Sequence, residues 1–254
     1  MIEILSEGPL ARLRIRRPEK KNAFTEAMWR QLLAACDGWT TADARPRVLL
    51  VEGEAGAFCA GADIEELATL MHDPAALAHN NAVVAQAQQA LQALPFPTVA
   101  LVDGPCFGGG FGLAAACDFR LGTPRSSFAV TPARLGLLYS VEDTRRVLAL
   151  LGPSRTRRLL LRGERLDAAT ALAWGVLDAI VEPDALPATG AAWAADLARQ
   201  SPTSMAGIKD TLALLSGPPG GDEAGVRAAF DAAFTGPDFA EGAAAFLQRR
   251  EPVF

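Results

Sequence analysis

The run Gly108-Gly109-Gly110 is the stretch of this chain best suited to do chemistry. It follows an apolar, strand-like segment and precedes an apolar, helix-like one, Leu113 to Cys117. Glycines let a backbone approach a ligand closely with its N–H groups turned outward. A helix that follows adds the positive end of its dipole. Such a loop either holds an anion or is a tight turn before a packed helix. A dinucleotide fingerprint counted from Gly108 would need a glycine where Leu113 stands, and no Walker lysine follows, which argues against a nucleotide-phosphate loop. There is no G-x-S-x-G elbow for a serine hydrolase. His72, His79 and the cysteines Cys36, Cys59, Cys106 and Cys117 have no metal-ligand spacing, so no metal is expected and the histidines read as surface positions.

The elements around this loop alternate between strand and helix. Ile2 to Leu5 and Ala11 to Ile15 form a hairpin about Gly8-Pro9, and Thr25 opens an amphipathic helix through Met28, Leu32, Leu33 and Cys36. Arg47 to Val51 is a buried strand. A second loop, Ala55 to Asp63, leads into a helix at Ile64-Glu-Glu-Leu. Residues 75–94 form an Ala/Gln-rich helix stopped by Pro95-Phe-Pro97. Thr98 to Val102 is a strand, Asp103 to Phe107 a loop and Phe119-Arg-Leu a further strand. This order predicts an α/β fold with right-handed crossovers. Residues 1–190 are expected to form the core and 191–254 a helical region, with a Gly/Pro loop at Ser216-Gly-Pro-Pro-Gly-Gly221.

Phe58-Cys-Ala-Gly-Ala-Asp-Ile64, together with the glycine run, resembles the paired signatures of the crotonase (enoyl-CoA hydratase/isomerase) family. The resemblance continues through Arg17-Pro18, Asn22-Ala23, Pro97 to Gly104, Ala115 to Asp118, Gly163 to Ala168, Ala173 to Leu177, Ser201-Pro202 and Glu241 to Phe246. It implies a ββα spiral core, a C-terminal helical region that trimerises, often as dimers of trimers, and an acyl-CoA substrate. Coenzyme A would arrive as part of that substrate, with no separate cofactor. The resemblance puts two oxyanion-hole N–H groups at Ala60 and Gly109, where they would stabilise a thioester enolate. It also suggests coenzyme A contacts at Lys20 and Lys21, at the backbone of Ala62, Asp63 and Ile64, and at Phe230, Phe246 and Arg249, the last three often from a neighbouring subunit.

The chain departs from the family's hydratases at both of their catalytic glutamates. One position is here Gly112; the other, in the segment matching Phe128 to Gly136, is Pro132. Neither residue can move a proton, so two-glutamate hydration is disfavoured. Gly112 makes room either for an acyl group or for packing. Just downstream, Ser140-Val-Glu-Asp carries Glu142 and Asp143 where the family has a glycine-rich turn. These acids complement a helix N-terminus capped by Ser140, or Glu142, with Asp143 or Tyr139, handles protons. Thr131 to Tyr139 resembles a segment of methylmalonyl-CoA decarboxylases, although those carry a histidine at the position of Ala62. Three expectations follow: an acyl-CoA enzyme with a non-standard acid/base set, a decarboxylase of a malonyl-CoA-type thioester, or a coenzyme A-binding scaffold without catalysis.

Composition sets the outer limits. The chain has 254 residues, half of them apolar, and a formal net charge of -5, so no overall basic field favours nucleic acid. The alternating run Arg12 to Arg17 reads as the solvated face of a strand, or as a phosphate-facing one. Unpaired cysteines, no secretory leader and no membrane-length apolar run lead us to expect a cytoplasmic protein that keeps off membranes.

Overall fold

The computed structural model describes residues 1–41, 45–217 and 220–254. The expected hairpin is there: β1 (Ile2–Glu7) pairs antiparallel with β2 (Leu10–Ile15) across Gly8, whose φ of 60° suits glycine. Alternation along β2 turns Ala11, Leu13 and Ile15 into the core. Arg12 and Arg14 face the other way and pair with Glu52, and Arg14 also with Glu3. The basic run is therefore an ion-paired sheet face.

After α1 (Glu26–Thr41), β3 (Val48–Gly53) adds parallel to β2. The chain then runs through α2 (Ile64–Leu70) and α3 (Pro74–Gln92) to β4 (Thr98–Val102). With β6 (Phe119–Gly122) and β9 (Ala179–Ile180) the main sheet has the order β1-β2-β3-β4-β6-β9, parallel throughout after the hairpin. β4 is buried along its whole length, which is why it reads as an unbroken apolar run.

The segment expected as a loop after β4 contains a strand instead. β5 (Pro105–Phe107) pairs with β7 (Ser127–Ala129), and β7 with β8 (Leu166–Asp167), forming a second, smaller sheet. α4 (Gly109–Ala115) also starts earlier than expected, inside the glycine run. Close packing explains this: a Cβ on Gly110 would lie 2.4 Å from the Cys59 carbonyl oxygen, so the helix can sit on the Phe58–Asp63 loop only with glycine there.

α5 (Val141–Leu161) bends at Gly152-Pro153, where Gly152 has φ 69°, and α6 (Ala168–Trp174) follows β8. α7 (Leu186–Ala198) covers the outer face of the sheet, with Leu186 and Ala194 packed against Val48, Leu50, Val99, Leu101 and Leu121. This helix runs across residue 190, the expected boundary. The helices that follow it are α8 (Pro202–Ser216), α9 (Glu223–Ala233) and α10 (Pro237–Gln248). Pro218 and Pro219 of the expected Gly/Pro loop lie outside the described residues. Among the described residues no helix is long and apolar enough to cross a membrane.

A polar tie holds α8 to the sheet. Lys209 Nζ donates to Asp118 Oδ2 at 2.5 Å and to the Phe96 carbonyl at 3.2 Å. The same Asp118 oxygen accepts from the N–H and hydroxyl of Thr98. Replacing Lys209 with Met should cost about 1–3 kcal/mol, read as a lower urea midpoint at unchanged slope; an unchanged midpoint would show that α8 is held by apolar packing alone.

Candidate active site

Asn22 organises the first loop. It is fully buried with φ 59°, and its Nδ2 donates to the carbonyls of Glu54 (2.9 Å) and Ala57 (2.6 Å) while its Oδ1 accepts from Arg17 N (2.8 Å). Phe58 N and Cys59 N both donate to the Pro105 carbonyl, and Phe107 N donates back to the Cys59 carbonyl, so the loop is sewn to β5. Asp63 closes it. Its Oδ1 caps α2 by accepting from Glu65 N and Glu66 N, and its Oδ2 meets Arg17 Nη2 at 2.6 Å. Burial alone would raise this carboxyl's pKa, but Arg17 and the two amides outweigh it and hold the pKa below the usual carboxylate range.

The register of these bonds decides which amide is free. Ala60 N–H donates to the Lys21 carbonyl at 3.0 Å. The expected donor at Ala60 is therefore already committed, because the left-handed turn at Lys21 and Asn22 turns that carbonyl into the loop. Phe24 N donates to the Gly61 carbonyl (2.8 Å), and Asp63 N to the Phe24 carbonyl (2.9 Å). In such a parallel bridge the residue between those two, Ala62, points its own N–H away from Phe24. That N–H has no partner among the described residues, and its nitrogen lies near Gly109: a Cβ built on Gly109 would be 3.9 Å from Ala62 N. Gly109 is the first residue of α4, so its N–H has no carbonyl one turn back to bond. Ala62 and Gly109 thus bring one free amide from each loop close together.

A buried polar cluster lies beneath them. A Cβ on Gly112 would be 2.5 Å from Asp143 Oδ1 and 2.6 Å from Gln88 Nε2, so those groups already fill the space a side chain there would take. Ser140 caps α5 by accepting from Asp143 N, and its hydroxyl donates to Asp143 Oδ2 at 3.0 Å. Arg146 Nη1 donates to Asp143 Oδ1 and to Gln88 Oε1, both at 3.0 Å, and its Nε to Gln92 Oε1 at 2.8 Å. Gln88 Nε2 reaches the Gly109 carbonyl at 3.5 Å. Burial pushes the Asp143 pKa up, against the pull of Arg146 and Ser140. Glu142 is half-buried and has no side-chain hydrogen bond or ion pair among the described residues. Asp143, not Glu142, is the acid that meets α4. Tyr139 donates its hydroxyl to the Gly108 carbonyl at 3.1 Å, and its phenol is held well above its ordinary pKa, first by burial and then by Asp143.

Two thiols lie under the loops. Cys59 Sγ accepts from Gly61 N at 3.4 Å, and Cys106 Sγ donates to the Gly110 carbonyl at 3.4 Å. Burial raises both, Cys59 to about 12. All four cysteines are buried and unpaired. Among the described residues no three His, Cys, Asp or Glu side chains gather to hold a metal ion.

The other candidate residues lie further out. Lys20 is ion-paired with Glu65, the Lys21 side chain is exposed, and Ile64 is exposed at the start of α2. Phe230 is exposed and stacks edge-on with Phe234; Phe246 and Arg249 are exposed at the end of α10. None of these last three shares a hydrogen bond, ion pair or aromatic contact with the two loops among the described residues. Gln88, Gln92 and Arg146 had no signal in motif spacing. The glycine at 112, inside a helix, was the one hint that another side chain fills its place.

A ββα core that brings two glycine-containing loops together amide to amide defines a member of the crotonase superfamily. Residues 6–254 match the family model described as enoyl-CoA hydratase/isomerase. The chain is 30% identical over 261 residues to a Mycobacterium tuberculosis protein named "Probable enoyl-CoA hydratase echA6", covering 100% of this chain and 99% of the other. It is 36% identical over 210 residues to "Probable enoyl-CoA hydratase EchA17" of the same species, covering 81% and 79%. The crystal structure of a Hyphomonas neptunium protein described as a "Putative enoyl-CoA hydratase/isomerase family protein" superposes with a TM-score of 0.92 at 33% identity, covering 100% of this chain and 97% of the other. The chain belongs to the enoyl-CoA hydratase/isomerase family.

Gly112→Ala should destabilise the protein by about 1–3 kcal/mol through overpacking, although alanine is the better helix former by about 1 kcal/mol. In an Asp143→Ala background part of that cost should vanish, the Gln88 contact remaining. Denaturation of the four proteins in this double-mutant cycle measures the coupling, and strictly additive effects would mean that Asp143 does not occupy the space beside Gly112.

Proposed function

We propose that this protein acts on an acyl-CoA thioester and holds the thioester oxygen between the N–H groups of Ala62 and Gly109 while that oxygen takes up enolate charge. The carrying observation is that these two amides, one from each loop, lie close together and have no internal partner among the described residues. A single such donor contributes roughly 3–4 kcal/mol to a transition state when water is excluded. Backbone donors leave side-chain identity at both positions free, which fits alanine and glycine.

Asp143 is the acid/base group in this reading. As a base, its carboxylate takes the proton from the α-carbon and the C–H electron pair moves onto the thioester oxygen; the reverse step returns the proton. Its position beside Gly112 supplies a carboxylate where the family's first glutamate is missing. Glu142 has no contact that turns it toward α4. Decarboxylation of a malonyl-CoA-type thioester is the second reading, favoured by Pro132 and Gly112 together. There the breaking C–C bond delivers its electrons to the same oxygen, carbon dioxide leaves, and a protonated Asp143 or water delivers the α-proton. Conversion of no thioester despite binding would mark a scaffold.

Coenzyme A would run along Lys20, Lys21 and the backbone of Ala62, Asp63 and Ile64. Phe230, Phe246 and Arg249 would reach it from a neighbouring copy. α8 to α10 leave Ile208, Leu212, Phe234 and Phe239 exposed, an apolar surface that a homotrimer or dimer of trimers would cover. Four buried thiols suit work in a reducing cytoplasm.

Enoyl-, hydroxyacyl- and malonyl-type CoA thioesters followed by mass spectrometry should reveal one converted class. On that substrate Asp143→Asn should lower kcat by at least ~100-fold with little change in KM. In the direction that needs a base, the wild-type rate should rise with pH, its midpoint above the ordinary carboxylate pKa of about 3.9, since the ionised form dominates only above the raised folded pKa. Undiminished turnover by Asp143→Asn would remove its assignment.

A further inference from the structure

We propose that Tyr139 is a positioning residue for the oxyanion peptide: by donating its hydroxyl to the Gly108 carbonyl, it sets the orientation and donor strength of the Gly109 N–H, the other end of the same peptide group. The inference rests on the acyl-CoA reading above and adds to it a side chain that never touches the substrate.

The Gly108–Gly109 peptide opens α4: its carbonyl lies along the helix, and its N–H points back out of the helix N-terminus. Gly108 has φ 51° and ψ −117°, a conformation open to glycine, and the peptide after it lies beside Ala62, a Cβ built on Gly109 falling 3.9 Å from Ala62 N. Something must hold the plane there. Gly108 N–H is fixed to the Ala129 carbonyl at 2.9 Å, which anchors the residue but not the peptide after it. The Gly108 carbonyl does anchor that peptide, and it accepts twice: from Gly112 N–H at 3.1 Å and from the Tyr139 hydroxyl at 3.1 Å. Rotating the plane away from the site would break both bonds.

The second bond also acts on charge. A donor on the carbonyl oxygen draws electron density from the amide nitrogen across the peptide resonance and makes its N–H more polar, the cooperative strengthening expected in a chain of hydrogen bonds. Tyr139 can serve as this donor at any physiological pH, because burial and the neighbouring Asp143 keep its phenol protonated. Its placement is built in: Ser140 caps α5 one residue later, and the ring packs against the main core. Tyr139 is the sole tyrosine of the chain, so replacing tyrosine throughout the protein alters this one bond.

The test uses Tyr139→Phe, which keeps the ring, and biosynthetic replacement of the tyrosine by 3-fluorotyrosine, a stronger donor of nearly the same shape. In the phenylalanine variant kcat should fall ~3- to 10-fold with KM within ~2-fold, the share of an oxyanion donor's effect that polarisation carries. The carbonyl stretch of bound thioester should move back toward its free value, and the Gly109 amide proton should shift upfield without substrate. Fluorotyrosine should move both signals the opposite way. An unmoved Gly109 amide proton and carbonyl stretch in both proteins would overturn the inference, as would equal losses in kcat and thioester affinity. A wild-type protein that binds no thioester while its Gly109 amide still responds to residue 139 would overturn the acyl-CoA reading and leave the peptide polarisation supported.

Discussion

One buried side-chain amide carries this architecture. Asn22 joins the turn after β2 to the loop after β3 through two hydrogen bonds and braces its own turn through a third. The left-handed conformation it shares with Lys21 turns the Lys21 carbonyl toward Ala60. Once that bond and the two bonds of Phe24 are made, the alternation of an extended chain leaves one amide, that of Ala62, free to face α4. A one-residue slip would turn that N–H to the wrong side. Two amides from separate loops thus meet in part because an asparagine on a third segment fixes the register of one of them.

The polar cluster around Gly112 follows the same economy of space. A glutamate on α4 and a carboxylate on α5 cannot both occupy one small volume, and this chain fills it from α5. Asp143 and Gln88 share the region with Arg146, which gives each a partner; no buried side-chain polar atom is left without one among the described residues. In so dry a place burial raises the Asp143 pKa, while Arg146 and Ser140 pull it back down.

Much of the fold was legible along the chain. The hairpin, β3, β4 and the helices follow from period-two and period-3.6 patterns, and the glycine run marked one of the two site loops. The parts that were not legible share one cause: they depend on contacts between residues far apart in sequence. Ala60 and Ala62 are alike in type, and only the bonds of Lys21 and Phe24 tell them apart. β5 has three residues, too few for a pattern, and exists because β7 comes to lie beside it. The choice between Glu142 and Asp143 was nearer to reach. Val147 and Leu151 face the core one and two turns on, so helical phase already turned Asp143 inward and Glu142 aside.

Cys59 lies within the first loop and Cys106 in β5 beside it, both closed off from solvent. A thiolate at either place would be a nucleophile toward any electrophile that reached the loops. Burial keeps both sulfurs protonated and engaged with backbone groups, and a neutral thiol is a poor nucleophile. The packing that brings the two loops together thereby also keeps both thiols unreactive.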